Sequence, residues 1–436
     1  MVRQTIHIYQ QAYRGLSPSV WLLAGVMLIN RCGTMVLPFM TLYLTQHLHY
    51  SVTDAGIIMA VYGLGAFVGT FFGGRLTDRF GFYYVQLTSL LLSGLFLLAL
   101  QLVTDFYLLC GSVFIFTLFG DAFRPANQTA IAYYSDSETR TRAYSLNRLA
   151  INLGWAVGGG LGGWLASIDY RLLFWADGLT CLLASIVLWF YLPVPNSLSD
   201  DLLIDSTQLS TPEEATQLLV ESTQATPYRD PLFVAFVVCT TLYFVVFMQL
   251  FTIVPLFFKE IFHLNERLIG TLMALNGLLI VLFEMALVYS VEQRKWPRFN
   301  LIIMGVLLTA VSFIILTIPS SPLLSGSFIA LVYIVFGTFS EMLAMPFFQS
   351  FVIERATPAT RGRYLALYAM GGALAQTAAP AFGSLMVARV GFSTHWLALV
   401  GISLVSAGGF WWLGKQLNRP QISLSLQFSK SESGEE

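Results

Sequence analysis

Two stretches without a charged residue, 55–72 and 82–104, flank a short charged segment at 73–81. Each stretch is long enough to cross a bilayer, whose hydrocarbon core takes about 20 apolar helical residues. Backbone exposed to lipid has no water to bond, so only helices and closed barrels span it. Two spans joined by so short a loop run antiparallel, and the glycines in the segment allow their backbones to approach closely. We therefore predict an antiparallel pair of transmembrane helices here.

The composition extends this prediction to the whole chain. Hydrophobic residues make up 56% of the sequence and charged residues only 11%, whereas soluble proteins carry about 25% charged residues. The four cysteines lie apart in apolar runs, without a C-x-x-C pair or a histidine cluster, so we expect no metal site, no disulfide framework and no cofactor. A net charge of −1 argues against a nucleic-acid partner. The segment from Met1 to Ser17 contains no cleavage site, so no signal peptide is expected.

Apolar runs recur along the sequence and predict an all-α membrane protein with twelve transmembrane helices in two pseudo-symmetric six-helix bundles. Residues 196–229 are polar, acidic and rich in Ser, Thr and Gln, which is typical of a linker. We divide the chain into a cytoplasmic N-terminus (1–16), a first bundle (17–195), this cytoplasmic linker (196–229), a second bundle (230–416) and a cytoplasmic tail (417–436). The predicted helices are 17–44, 53–74, 81–102, 106–133, 143–167, 171–193, 230–259, 266–290, 297–318, 323–353, 362–388 and 394–416.

The distribution of Lys and Arg predicts the orientation. With the N-terminus inside, 16 of these residues fall in cytoplasmic segments, 4 in outer loops, and the remaining 3 of the 23 within spans. Short cytoplasmic loops carry the excess of positive charge in membrane proteins. We therefore expect a multi-pass protein of the bacterial inner membrane with both termini in the cytoplasm.

The two halves of the sequence repeat each other. Pro125 in the predicted fourth helix corresponds to Pro346 in the tenth, and Pro38 in the first corresponds to Pro255 in the seventh. After a slightly shorter loop in the second half, Gly63 corresponds to Gly277. An unrelated channel or membrane enzyme has no reason to show this repeat.

The segment 73–81 resembles a loop motif of the major facilitator superfamily, G-x-L-a-D-r-x-G-r-[RK], between the second and third helices. Gly74, Leu76, Asp78, Arg79 and Gly81 match it, whereas Phe82 and Tyr83 replace the final basic pair. The resemblance implies two parallel six-helix repeats with substrate bound at their interface. It also implies a conformational latch. Gly74, Asp78, Arg79 and Gly81 would act with Arg140 and with Arg361 at the start of the eleventh helix, where a carboxylate meets the positive end of the helix dipole. An ordinary solvated loop charge remains the alternative.

The fifth predicted helix carries glycines at every fourth position, Gly154, Gly158 and Gly162, followed by Gly163. Such a smooth face allows a neighbouring helix to pack closely. The spacing resembles the antiporter motif of drug-exporting facilitators, G-x-x-x-G-P-x-x-G-G, with Gly159 in place of the proline. In the second half, Pro380 keeps the proline. Plain small-residue packing explains both stretches equally well.

Charged side chains inside the predicted spans are costly and normally face a cavity or a partner. Arg31 lies about 14 residues, roughly 21 Å, into the first helix and therefore near mid-membrane. Asp121, Arg124 and Gln128 follow i, i+3, i+7 spacing and share one face of the fourth helix. In the family, the first, fourth, seventh and tenth helices line the cavity. We expect Arg31 and Arg124 to bind substrate or to act as counter-charges, with further lining from Asn30, Gln128, Tyr43, Gln249 and Asn276.

Three carboxylates inside spans face only two such arginines, which leaves one acid without an obvious cation. Asp121, Glu284 and Glu341 are therefore candidate proton-coupling sites, since desolvation favours a protonated carboxyl group. The alternative is that these residues form static ion pairs that join helices. Arg148 and Asp177 lie close to the predicted membrane boundary, where we expect interfacial or structural roles.

The absence of a G-x-x-x-x-G-K-[ST] motif indicates secondary rather than ATP-driven transport. We predict a monomeric transporter, not an enzyme, that exchanges small amphipathic drug-like molecules for protons by alternating access. Phe116 stands where drug antiporters usually carry an arginine in the fourth helix, which weakens a multidrug assignment. A proton-symporting importer of peptides or another polar nutrient, a lipid flippase and a non-transporting sensor remain alternatives.

Overall fold

The computed structural model describes residues 15–136, 139–195, 227–322, 324–356 and 360–417, and within these ranges the chain is helical without strands. The linker prediction for 196–229 lies almost entirely outside the described residues, as do most of the two terminal segments. The helices are α1 (Pro18–Cys32), α2 (Val36–Leu42), α3 (Val52–Phe80), α4 (Phe82–Leu100), α5 (Phe106–Tyr133), α6 (Arg140–Ala166), α7 (Arg171–Tyr191), α8 (Pro231–Phe247), α9 (Gln249–Glu260), α10 (Glu266–Gln293), α11 (Arg298–Ile315), α12 (Gly326–Arg355) and α13 (Arg361–Leu417).

In the part of the chain that the structure describes, these helices form twelve membrane crossings. A π-helical turn, Tyr43–His47, extends α2, so that Pro18–His47 is one span, and α8 with α9 forms another. Eleven apolar helical segments are long enough to cross a membrane in the described ranges. The last of them, α13, would be about 85 Å long as one helix at 1.5 Å per residue. Gly391, with φ of 80°, interrupts it and separates two arms that each cross once. The predicted all-α architecture is confirmed.

The charged segment after the second span is not the loop that the sequence suggested. α3 continues through it to Phe80, and the chain turns only at Gly81, whose φ of 81° suits glycine. The side chains of Arg75, Asp78 and Arg79 are exposed on this extension. The helix therefore does not end where the apolar stretch ends. Its last turns carry the charged residues.

The first span is broken in the middle, between Cys32 and Val36. The two side-chain oxygens of Asp177, on α7, accept hydrogen bonds from the backbone N–H groups of Met35 and Val36, at 2.8–3.1 Å. This buried carboxylate satisfies donors that the start of α2 leaves without helical partners. The seventh span breaks at Met248, which the repeat relates to Arg31, so the break in the second half comes a few residues earlier than the break in the first.

The buried core shows how the two halves meet. We call the end of the bundle at Gly81 the linker end and the end at His47 the far end. One apolar cluster at the far end includes α2 and α7 of the first half together with α9 and α10 of the second. At the linker end the buried residues form two clusters, one within each half. The halves are thus joined at the far end and separate towards the linker end.

Small residues make the close contacts between the halves. A Cβ on Gly163 of α6 would lie 2.6 Å from the Cα atom of Gly270 on α10. A Cβ on Gly63 of α3 would lie 2.6 Å from the Cα atom of Thr377 on α13. No residue with a side chain fits at such distances without moving backbone, so these pairs fix how closely the halves approach.

Asp230 caps the start of the second half. Its carboxylate accepts hydrogen bonds from the Phe233 N–H at 3.1 Å and from Arg355 Nε at 2.7 Å. Partial burial raises the pKa of this carboxyl, but the bonds from Arg355 and Phe233 outweigh burial and leave it below its usual value. The stabilisation is therefore present above the unfolded pKa of about 3.9 and is lost as pH falls through the lower folded value.

We expect Asp230→Ala to lower the free energy of unfolding by about 1–2 kcal/mol at neutral pH, because it removes both a cap and an ion pair. Thermal unfolding in detergent between roughly pH 8 and roughly pH 3 measures this difference. The gap to the wild type should stay constant down to about pH 4 and narrow below it. A gap that widens on acidification would contradict the assignment. Asp230→Asn, which keeps a capping oxygen, should lose less.

Candidate functional site

A cluster of charges lies inside the first half. Arg124 Nε, on α5, forms an ion pair with Asp121 Oδ1 at 2.5 Å, and the charges acting on Arg31 of α1 include both. Asp121 is buried, whereas about half of the Arg124 side chain is exposed. Arg31 Nε is buried and has no hydrogen-bond partner in the described chain. Two arginines against one carboxylate leave this cluster with a positive charge for which an anionic group is the natural complement.

A polar cavity of about 70 Å³ adjoins the cluster. Residues of α1, α3, α4, α5 and α7 line it, among them Asn30, Arg31, Tyr62, Asp121 and Arg124. A smaller cavity of about 20 Å³ occupies the equivalent place in the second half, between α8, α10, α11 and α12, with Asn276 in its lining. The repeat that pairs Gly63 with Gly277 also pairs Tyr62 with Asn276. The duplicated bundles therefore keep cavities at matching positions, a polar one in the first half and a mainly apolar one in the second.

Glu341 of α12 lies beside the second cavity. Asn276 Nδ2 donates to Thr338 Oγ1 at 2.9 Å and to Glu341 Oε2 at 3.4 Å. No arginine or lysine among the described residues pairs directly with Glu341, although Glu284 and Arg148 lie within electrostatic range. A carboxylate whose near neighbours are neutral amide and hydroxyl groups is one that can take up a proton at little cost in broken ion pairs.

Arg148 of α6 and Glu284 of α10 form an ion pair across the two halves. Glu284 is buried, and about half of the Arg148 side chain is exposed. Moving along α6 and α10 from the far end, the contacts run from Gly163 with Gly270, through Ala156 with Gly277, to this pair. Of these three contacts it lies nearest the linker end, and it connects the cluster around Glu341 to the first half.

Exchanging the charges of Arg148 and Glu284 distinguishes a static role of this ion pair from a role in proton coupling. The variant Arg148→Glu/Glu284→Arg restores an ion pair, so we expect it to unfold near the wild-type temperature, whereas each single variant unfolds lower. We expect transport driven by a pH gradient to stay lost, because the carboxylate has left its place beside Glu341. Full recovery of gradient-driven transport by the exchange would contradict this and would assign the pair a purely static role.

At the far end, polar groups close the interface. Glu266 of α10 accepts a hydrogen bond from Tyr170 Oη of the first half at 2.8 Å and pairs with Lys259 Nζ at 2.7 Å. Arg267 Nε donates to Ser167 Oγ at 2.9 Å, again across the halves. The two hydrogen bonds that cross the halves have to break if the far end is to open, whereas the Lys259–Glu266 pair lies within the second half.

Several predicted substrate residues lie elsewhere. Tyr43 is buried at the far end, where its ring packs against His47 and Phe174. Gln249 is buried at the break between α8 and α9 and donates to the Ala379 carbonyl at 3.0 Å. Neither lines the two cavities. Asn30 does, and its Nδ2 lies 3.5 Å from Cys181 Sγ, while Gln128 is exposed one turn beyond Arg124.

Among the side chains that the structure describes, the predicted latch residues form no ion pair with one another. Asp78 is exposed and forms no ion pair with any residue that the structure describes, and Arg79 lies over the ring of Phe80. A Cβ on Gly74 would meet nothing within 4 Å. Arg140 is exposed at the start of α6, and the side chain of Arg361 lies outside the described residues. This arrangement agrees with the separation of the halves at the linker end.

The glycines of α6 pack against two neighbouring helices. A Cβ on Gly154, Gly158 or Gly162 would collide with the first span, at Arg31, Cys32 and Met35 respectively. A Cβ on Gly163 would collide with α10. Pro380 of α13 packs on the other interface, where its carbonyl lies 3.1 Å from the position of a Cβ on Gly56. The stretch thus provides close packing both within the first half and between the halves.

Sequence reasoning missed Arg148 as the partner of Glu284 and Asp177 as the cap of the broken span. Neither has a local signal, because each partner lies on a helix that is remote in sequence.

Comparison with known proteins agrees with this geometry. The family model described as Major Facilitator Superfamily matches residues 22–375. The chain is 25% identical to a Na(+), Li(+), K(+)/H(+) antiporter of Planococcus maritimus, over 90% of this chain and 94% of that protein. It is 24% identical to the multidrug resistance protein MdtH of Proteus mirabilis, over 92% of this chain and 89% of that protein. A crystal structure of a POT family transporter in complex with 5-aminolevulinic acid superposes with a TM-score of 0.74 at 15% identity, covering 93% and 98% of the two chains.

Proposed function

This chain belongs to the major facilitator superfamily, a family of membrane transporters rather than enzymes, and we propose that it exports small amphipathic molecules in exchange for protons. Its relatives include an antiporter and multidrug resistance proteins. The exchange would proceed by alternating access, with the two halves rocking about the central charged residues.

The separation of the halves at the linker end, with one shared core at the far end, is the observation that carries the proposal. A transporter caught in one of its two states is expected to have a closed end and an open end. Close contacts between small residues and side-chain hydrogen bonds hold the closed end. Breaking them does not leave a buried charge without a partner, because Glu266 keeps its ion pair with Lys259.

In the proposed cycle the first half binds solute and the second half carries the proton. The positive cluster of Arg31 and Arg124 with Asp121 would contact polar or anionic groups of the solute. Glu341, with Glu284 beside it, would take up the proton. The ion pair of Arg148 with Glu284 would form in one state and break in the other. Asp121 stays a proton candidate because a proton there would release Arg124.

The excess of Lys and Arg supports a linker end that lies in the cytoplasm, at a bacterial inner membrane. The state with a closed far end is then inward-open. In the outward-open state, Asp78 would approach the start of α13 and Arg140, closing the latch. We propose that the protein works as a monomer, since each half supplies one side of the site.

Reconstitution tests the proposal. Proteoliposomes loaded with a pH-sensitive dye receive a gradient of labelled taurocholate, used as an amphipathic anionic probe. Antiport predicts that taurocholate movement drives protons the opposite way and that an imposed pH gradient drives taurocholate. Taurocholate flux without proton movement, or proton movement in the same direction as solute, would contradict exchange.

A second candidate is proton-coupled import of a zwitterion such as a dipeptide. The observation in its favour is the distribution of charge, with arginines around the first cavity and Glu341, which lacks a direct cationic partner in the described chain, beside the second. Uptake of a labelled dipeptide into the same proteoliposomes, with protons moving in parallel, would favour import over export.

A further inference from the structure

A third cavity lies away from the transport site. It has a volume of about 550 Å³ and opens at the linker end of the second half, between the start of α11, the end of α12 and the end of α13. Its lining includes Arg298, Phe299, Ile303, Phe351, Trp411 and Lys415. We call it the α11–α13 groove. The transport mechanism above makes no use of it.

Two cations line this groove. Lys415 Nζ lies 3.7 Å from the ring centroid of Trp411, and Arg298 forms an ion pair with Glu354. Arg294 and Lys295 are exposed in the turn that precedes α11. Glu354 neutralises Arg298, but the groove and the turn that leads to it still carry an excess of positive charge. An anion would complement this charge.

The surface that continues from the groove towards the far end is apolar and exposed. On α11 it consists of Met304, Leu307, Val311 and Ile314, which follow helical spacing along one face. On the second arm of α13 it includes Leu397, Leu404 and Val405. In a membrane-spanning bundle, such stripes face lipid acyl chains.

Tryptophans mark the depth of the groove. Trp296, Trp411 and Trp412 are all about half exposed around its rim. Tryptophan is enriched at the headgroup level of membranes, because its ring is apolar and its N–H is polar. The groove is therefore at the depth of a phospholipid headgroup, above a surface suited to acyl chains.

We propose that the α11–α13 groove binds the headgroup of an anionic phospholipid, with Lys415 and Arg298 holding the phosphate and the apolar stripes of α11 and α13 contacting the acyl chains. Basic pockets between transmembrane helices bind anionic headgroups in this way. Glu354 limits the affinity, because it competes for Arg298. The lipid would fix the end of α13 against α11 while the halves rock.

Native mass spectrometry of the full-length protein tests this, with phosphatidylglycerol and phosphatidylcholine of matched acyl chains as probes. We expect phosphatidylglycerol to bind more tightly. Lys415→Gln and Arg298→Gln should each weaken its binding about five-fold, which corresponds to about 1 kcal/mol per cation. Glu354→Gln should strengthen binding, an effect that a misfolded variant would not show. Arg389→Gln, which removes an exposed cation on the first arm of α13 close to Gly391, is the matched control and should change nothing.

Other occupants give different results. Equal binding of the two lipids in all variants would overturn the proposal. Competition by a large excess of inorganic phosphate would show a site for a free anion rather than a lipid, and would overturn it as well. Phosphatidylglycerol binding that appears only after deletion of residues 418–436 would show that the chain's own tail fills the groove. This result would also overturn the proposal.

Discussion

Replacement of Glu341 by glutamine is expected to abolish transport driven by a pH gradient while leaving ligand binding intact. Glutamine keeps the shape and the hydrogen bond to Asn276 but cannot exchange a proton. In proteoliposomes, taurocholate flux under an imposed pH gradient should fall to the protein-free background. Taurocholate binding, measured by equilibrium dialysis, should stay close to the wild type.

Two comparisons make this result specific to proton exchange. Asp169→Asn removes an exposed carboxylate between α6 and α7 and should leave gradient-driven flux unchanged. Counterflow of taurocholate without a pH gradient should persist in Glu341→Gln, because exchange of solute needs no net proton movement. Unaltered gradient-driven flux would remove Glu341 from the proton pathway and leave Glu284 or Asp121.

Addition of one methyl group at the interface is expected to have the second large effect. In Gly270→Ala the new Cβ lies 2.5 Å from the Cα atom of Gly163, which is backbone and cannot rotate away. Overpacking of this kind costs about 1–3 kcal/mol. Since the cost falls only on the state with a closed far end, the balance should shift towards far-end opening by about 5- to 150-fold.

Thiol labelling measures this shift. Val254→Cys places a thiol in the shared far-end core, where the wild-type side chain is fully buried. Its modification by a water-soluble reagent should accelerate in Gly270→Ala. Gly160→Ala is the control, since its Cβ would lie 3.4 Å from Ala274 Cβ, an ordinary contact. Equal rates in both variants would mean that the glycine pair does not hold the far end closed.

The membrane architecture could be predicted from the sequence because hydropathy and loop charge are local properties. Twelve apolar runs, a repeat and one motif were enough for the all-helical fold and the family. The positions where helices break or continue were harder to predict from the sequence. The break before Val36 depends on Asp177, which lies on another helix, and α3 continues past its apolar stretch because helical hydrogen bonds do not require apolar side chains.

The candidate site could be predicted only in part. Spacing along one helix brought Asp121 and Arg124 together correctly, since residues three apart share a face. The Arg148–Glu284 pair joins the two halves and depends on how they dock, which no local pattern encodes. Tyr43 and Gln249 line neither of the two cavities. Polar residues on an expected cavity helix can lie in its packed core, where a break or a ring cluster accommodates them.

The distance between the halves at the linker end tests the central claim most directly. Spin labels at Asp136→Cys and Arg294→Cys, both exposed at that end, report it by pulsed electron resonance in a background with the four native cysteines replaced by alanine. Proton-coupled alternating access predicts a longer and a shorter distance whose proportions change between roughly pH 8 and roughly pH 5. In Glu341→Gln the proportions should not respond to pH. A single distance in every condition would contradict the account.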